Sequence, residues 1–140
     1  MSKIAIVYWS GTGNTEAMAK AVADGAREKG ATAELFTPAD FSADKVGRYD
    51  ALAWGCSAQG SEVLEEYEFE PLFAACEREL GSKKVALFGS YGWGDGEWMR
   101  AWESRCADAG VTLACESVIC CEAPDEEAVA KCRALGAALA

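Results

Sequence analysis

Ile4-Ala5-Ile6-Val7-Tyr8-Trp9, followed directly by Ser10-Gly11-Thr12-Gly13-Asn14-Thr15-Glu16, is the stretch on which the fold turns. Residues 4–9 form a nearly unbroken run of apolar strand formers, as expected of a parallel strand covered by helices on both faces. Beyond Glu16, Met18, Ala21, Val22, Gly25 and Ala26 recur at helical spacing, a single stripe facing a sheet. Strand, glycine-bearing loop and helix together are the opening unit of an α/β domain.

The unit repeats along the chain. Further strands are predicted over Thr32 to Thr37, Ala51 to Cys56, Val85 to Gly89 and Val111 to Cys120. The third and fourth are as apolar as the first and belong inside the sheet, whereas Glu34 in the second and Glu116 in the fifth suit edges. Met99, Trp102, Cys106 and Ala109 mark another helix, as do Val129, Cys132, Leu135, Gly136 and Leu139. Segment 71–80 gives a short helix after Pro71, and segment 40–48 is a weak helical signal. Right-handed crossovers then specify a three-layer α/β sandwich, a five-stranded parallel sheet in the order 2-1-3-4-5 with helices on both faces. No linker, repeat or low-complexity tract interrupts the series, so residues 1–140 are expected to form one domain.

Composition narrows the partners. The 23 acids outnumber 13 bases, the net charge is −10 and histidine is absent. Such a chain is a poor ligand for nucleic acid or an anionic membrane. The N-terminal residues lack the charged region, apolar run and small-residue cleavage site of a secretory signal, and a cytoplasmic location is expected. The cysteines number seven, an odd count, and Cys56, Cys115, Cys120 and Cys132 lie in apolar segments, which predicts buried, reduced thiols. No C-x-x-C occurs to suggest a metal or cluster, and no metal site is expected.

Ligands of doubly wound sheets bind beyond the carboxyl ends of the strands, at the switch between strands one and three. Ser10 to Thr15 sit at that point. The glycines let the backbone turn closely round a ligand, Ser10, Thr12 and Thr15 offer hydroxyl donors, and the following helix offers free N–H groups. A nucleotide-triphosphate loop would need Gly-Lys-Ser/Thr where Gly13-Asn14 stands, and a dinucleotide fingerprint would need glycine in place of Glu16. With no Lys or Arg in the loop, an anion must be held by neutral donors and the helix dipole. The plainer reading is a strand-to-helix turn with Asn14 or Thr15 as N-cap.

Two unusual loops follow the third and fourth strands. One is Cys56-Ser57-Ala58-Gln59-Gly60-Ser61-Glu62, and the other is Gly89-Ser90-Tyr91-Gly92-Trp93-Gly94-Asp95-Gly96-Glu97-Trp98. Glycines around Trp93 deny it local packing, and a flat aromatic ligand would explain its presence. Trp9, Trp54, Trp98 and Trp102 lie on strands or helices and are expected to serve packing.

Tyr8 to Glu16 and Phe88 to Gly96 closely resemble the phosphate loop and aromatic flavin loop of the flavodoxin family, in its short-chain form from anaerobic bacteria. The similarity extends over the whole chain, including Glu65-Glu66 and Pro71, with no long insertion in the fifth strand. The resemblance implies a low-potential one-electron carrier that binds FMN non-covalently, shuttles between semiquinone and hydroquinone, and substitutes for ferredoxin. It implies that Ser10, Gly11, Thr12, Gly13, Asn14, Thr15 and Ser57 grip the phosphate and that Trp93 stacks on the outer face of the isoalloxazine. Gly60 would turn its carbonyl to flavin N5–H, which a type II′ turn over Gly60-Ser61 permits with little strain, and Glu62 would accept from N3–H. Ala58, Ser61, Ser90, Tyr91, Gly92 and Gly94 complete the implied contacts, mostly through backbone. Gln59 departs from the apolar side chain, usually methionine, that many relatives place there, and can donate to the flavin instead. Cys121-Glu122 stands where relatives often supply asparagine, which leaves the ribityl contacts open.

The implied partners are redox proteins with basic docking surfaces, such as ferredoxin-type reductases, hydrogenases or pyruvate-oxidising enzymes, met by a monomer. Glu62, Glu65, Glu66, Glu68 and Glu70 crowd the loop after strand three, and Asp95 and Glu97 border Trp93. Five such charges at roughly 10 Å in water-like dielectric would oppose a reduced, anionic flavin by about 2 kcal/mol, on the order of 90 mV. Charge is therefore secondary to stacking, water exclusion and the Gly60 peptide.

Two other functions share this topology. A flavoenzyme reducing quinones would need a second pocket over a flavin face that Trp93 would cover. A phosphorelay receiver would need acids beyond strand one and an aspartate ending strand three, where Ser10-Gly11 and Cys56-Ser57 stand.

Overall fold

In a computed structural model, which describes residues 2–59 and 63–140, the chain alternates strands and helices. Strand β1 (Lys3–Trp9) leads to helix α1 (Asn14–Glu28) and β2 (Thr32–Phe36), and two 3₁₀ turns, Pro38–Asp40 and Ala43–Arg48, lead to β3 (Ala51–Cys56). Helix α2 (Phe69–Cys76), extended by a 3₁₀ turn at Glu77–Glu79, precedes β4 (Lys84–Tyr91). Then come α3 (Glu97–Asp108), β5 (Val118–Cys121) and α4 (Glu126–Leu139).

The strands pair in parallel in the order β2-β1-β3-β4-β5, as the polarity of the runs predicts. Every residue of β3 is buried, as are residues 4–8 of β1 and 85–90 of β4. The register sets Trp9 beside Cys56, Gly55 beside Phe88, and Tyr91 beside Cys121, so the loops after β1, β3, β4 and β5 open on one edge of the sheet.

Two cores flank the sheet, and they differ in chemistry. One is aromatic: Phe41, Trp54, Phe69, Phe73, Trp98 and Trp102 bury themselves between β3 and helices α2 and α3. Trp54 meets Phe73 edge to face at 5.2 Å and Trp102 meets Phe69 at 5.5 Å, the geometry aromatic quadrupoles favour. The other is small and aliphatic, with Ile4, Ile6, Met18, several alanines, Cys132 and Leu135 between the sheet and helices α1 and α4. There α1 and α4 touch backbone to backbone: a Cβ added at Gly136 would stand 1.9 Å from the Val22 carbonyl oxygen, and one at Gly25 1.9 Å from that of Arg133.

The elements correct the sequence in four places. The weak segment 40–48 forms the second 3₁₀ turn, since Phe41, Val46 and Tyr49 reach the core without a full amphipathic stripe. Helix α2 starts at Phe69, because Pro71 needs no amide acceptor in a first turn. The fifth strand is broken: Leu113 makes one isolated parallel bridge to Val85, and regular pairing begins only at Val118. Ala109 closes the α3 C-terminus in solvent. All seven cysteines are free thiols; Cys56 and Cys132 are buried as expected, Cys115 and Cys120 are only half-buried, and Cys121 is exposed. Burial pushes Cys56 and Cys132 up to about 12, so these stay protonated and inert. Among the described residues no helix is long and apolar enough to cross a membrane.

Candidate functional site

The loop from Ser10 to Gly13 turns β1 into α1. The cap of α1 is Gly13, in the left-handed region at φ 95°, rather than Asn14 or Thr15. Only glycine takes that conformation freely, which accounts for the second glycine of the loop. The capping acceptor comes from upstream: Ser10 Oγ accepts from the N–H groups of Gly13 (3.1 Å) and Glu16 (3.2 Å). A hydroxyl that accepts twice still has its own proton to donate. Thr15 is fully buried, and its Oγ1 lies 2.7 Å from Ser57 Oγ, which joins the first loop to the loop after β3. Tyr8 donates from its hydroxyl to Glu16 (3.2 Å); burial, then the Glu16 charge, raises its pKa above the ordinary value.

After β3 the chain is held by three backbone bonds. Ala58 N–H reaches the Ser90 carbonyl (3.0 Å), and Gln59 and Val63 pair through two backbone bonds of 2.8 and 2.9 Å. The Gln59 side-chain amide donates one proton to the Ala58 carbonyl (3.1 Å) and keeps a second to donate. Gly60, Ser61 and Glu62, each expected to touch a ligand, lie outside the described residues. The acids that follow are not a uniform solvated face. Glu65 is buried and bonded to three backbone amides, and Glu70 pairs with Arg105 at 2.6 Å, while Glu66 and Glu68 are exposed. Burial alone would raise the Glu65 carboxyl, but the amides of Phe69, Glu68 and Tyr67 outweigh it and hold it below the ordinary value.

At the end of β4, Ser90 and Tyr91 belong to the strand itself. Ser90 is buried, and its hydroxyl donates to the Glu122 carbonyl (2.6 Å), while Glu122 N–H returns a bond to the Tyr91 carbonyl (2.7 Å). These bonds hold Glu122 at φ 60°, the one non-glycine described residue in the left-handed region. Trp98 donates its indole N–H to the Cys56 carbonyl (3.1 Å), which fixes the root of the aromatic loop against β3. Trp93 stands out at 64 % exposure with no ring partner among the described residues.

These loops enclose a cleft of about 690 Å³. It is lined by Gly11, Thr12, Asn14, Ser57, Ala58, Gln59, Ser90, Tyr91, Gly92 and Trp93, all expected there, and by Trp9, Glu122 and Ala123. Ser10 and Gly13 instead line a neighbouring depression of about 360 Å³ across Trp9, and Thr15 lies buried behind the loop. Gly94 lies beyond the wall. Trp9 packs on the aromatic core, as expected, and as the last residue of β1 it also walls the cleft, which sequence reasoning missed. Its position as the last strand residue before the loop was the available signal.

The cleft matches a phosphorylated aromatic in size, since ligand pockets run roughly 300–1,000 Å³. Its donors are neutral hydroxyls and amides at a helix N-terminus, the setting that favours an anion without a basic side chain. Trp9, Tyr91 and Trp93 supply flat apolar surface. Together the sheet order, cradle and aromatic wall define an α/β protein that binds a mononucleotide at the switch point of its sheet.

Comparison with known proteins makes the assignment specific. The flavodoxin family profile matches residues 6–136. The chain is 49 % identical over 121 residues to a flavodoxin of Clostridium beijerinckii, covering 86 % of this chain and 88 % of that one. It is 45 % identical over 137 residues to a flavodoxin of Megasphaera elsdenii, covering 98 % of each. The solution structure of two-electron reduced Megasphaera elsdenii flavodoxin superposes with a TM-score of 0.89 at 46 % identity, covering 97 % of both chains. This chain belongs to the flavodoxin family. Its cofactor is FMN, and it is an electron-transfer flavoprotein acting on redox partners rather than an enzyme.

Proposed function

We propose that the chain carries single electrons at low potential, between the semiquinone and hydroquinone states of its flavin, in place of a ferredoxin. The observation that carries this reading is the neutral cradle at the N-terminus of α1, set beside the exposed Trp93 in one cleft at the sheet edge. FMN supplies the redox chemistry when bound; the residues bind, orient and shield it.

Ser10, Thr12, Asn14, Thr15 and Ser57, with the Gly11 and Gly13 backbone, would hold the phosphate. The Ser10 hydroxyl, already accepting two amides, would donate its proton outward. Trp93 and Tyr91 would cover the ring, and Ala58, Gln59, Ser90 and Gly92 would complete the walls largely through backbone, with Gly94 just beyond them. Gly60, Ser61 and Glu62 would meet the ring nitrogens, by the family's pattern. Low potential would follow from apolar packing, restricted water and an acidic surround with few free bases. Because Glu70 and Asp95 pair with Arg105 and Arg100, the charge contribution falls below that of an unpaired acidic loop.

The partners would be proteins with basic docking surfaces, among them ferredoxin-type reductases, hydrogenases or pyruvate-oxidising enzymes, met in the cytoplasm by a monomer formed of one domain. Anaerobic redox titration of the FMN-loaded protein tests the reading. Two separated one-electron steps with a blue neutral radical between them are expected. A single two-electron step, or rapid quinone reduction by NADPH without a reductase, would replace the carrier with a flavoenzyme.

A further inference from the structure

Glu65 belongs to a run of acids, yet it is only 7 % exposed. Its Oε2 accepts from Tyr67 N–H at 2.9 Å, and its Oε1 accepts from Glu68 at 2.7 Å and Phe69 at 2.9 Å. Its own N–H meets Cys56 Sγ at 3.5 Å, at the last residue of β3, and its carbonyl accepts from Glu70 N–H (2.9 Å) inside α2. One residue thereby ties the end of β3, the turn at 66–68 and the start of α2.

Capping alone needs less. A cap residue ordinarily satisfies one amide of the first turn. Here the cap position is Glu68, whose side chain makes no cap bond, and a carboxylate from outside the helix takes three amides instead. Two residues before Glu65, Val63 is paired with Gln59, and Gln59 lines the cleft. The Gln59–Val63 pair is therefore flanked by two anchors, the Ala58 bond to Ser90 before it and Glu65 after it.

We propose that Glu65 is a positioning residue for the cofactor: by fixing residues 65–69 against the end of β3, it sets where the paired Gln59 and Val63 stand along the FMN cleft, and with it the relative affinity for oxidised and reduced flavin. The proposal rests on the cleft's being the FMN site. Amide for carboxylate is no neutral exchange here, because Glu65→Gln keeps one acceptor oxygen and turns an NH₂ donor toward N–H donors. Glu65→Asp keeps the charge and withdraws it by one methylene, which separates position from charge.

For both variants, the FMN dissociation constant of the oxidised protein is read by fluorescence titration, both midpoint potentials by anaerobic titration, and the urea midpoint of the apoprotein by circular dichroism. Both are expected to bind oxidised FMN about tenfold more weakly, the loss of bonds to a buried charge. That loss should differ about tenfold between redox states, which moves a one-electron midpoint by ~59 mV. A lowered urea midpoint with dissociation constant and potentials within about twofold of wild type would reduce Glu65 to a helix cap and overturn the proposal. A potential shift in Glu65→Gln but not in Glu65→Asp would overturn it in favour of simple charge. If Glu65→Gln does not fold, Glu65→Asp decides by the same readings. Failure of the wild-type protein to take up FMN would remove the cleft assignment itself, whatever Glu65 does.

Discussion

Thr15 shows how an uncharged cradle is assembled from a side chain that solvent does not reach. Its hydroxyl bonds to Ser57, so Thr15→Val keeps the shape and removes the bond between the first and second loops. The loss of one partly buried bond is worth about 1 kcal/mol, and FMN should bind roughly fivefold more weakly, as a fluorescence titration would show. The residue types of this loop were legible because a phosphate needs small, hydroxylated, glycine-bearing backbone, and little else sits well between a buried strand and a helix. Glu122 was not legible in the same way. Nothing in its side chain announces a left-handed backbone; that conformation is imposed by Ser90 and Tyr91, distant in sequence. The acidic loop misled for a related reason, since Glu70 is paired with Arg105, on another helix, and Glu65 is drawn out of solvent by backbone amides that hold its charge.

Helices α1 and α4 depend on the absence of a side chain where they cross. Gly136→Ala would drive a methyl into the Val22 carbonyl and the Ala26 amide, and the helices must part. Overpacking of this kind costs about 1–3 kcal/mol, which thermal unfolding of the apoprotein would register as a fall of several degrees. The sequence showed both glycines on helical stripes but not that they meet, because crossing points depend on how two elements dock. Broken β5 has a similar origin: an apolar run interrupted by Glu116 suited an edge strand, while actual pairing needs a neighbour, which β4 supplies fully only from Val118. At the start of α2, Glu65 makes stability depend on pH. Its folded pKa lies below the ordinary 4.5, so its contribution is complete above that value and is lost as pH falls through the lowered folded value. Urea midpoints followed downward from neutral pH should show the wild type converging on Glu65→Gln only below about pH 4.5.

Across the whole molecule, the charge of −10 is a statement about encounters rather than about folding. Electron transfer to a basic acceptor such as cytochrome c should slow several-fold as salt rises from ~0.01 M to ~0.15 M, because the Debye length contracts from about 30 Å to about 8 Å. A stopped-flow rate independent of salt would mean that the acids steer nothing. Which strands lie at the edges was readable from polarity, since a parallel strand with helices on both sides has no position for a charge, and the doubly wound topology supplied the rest of the order. The crossover between β2 and β3 was less readable, for its apolar anchors Phe41, Val46 and Tyr49 carry no period that distinguishes helix from turn. The division of the interior has its own consequence. Trp54, Trp98 and Trp102, with Trp9 against them, all lie on the aromatic side of the sheet, and Trp93 stands at the cleft mouth. Indole emission is thus a one-sided witness: loosening of the alanine-rich layer under α1 and α4 would pass unseen by it, and only backbone or thiol probes such as Cys132 would detect that half of the protein coming apart first.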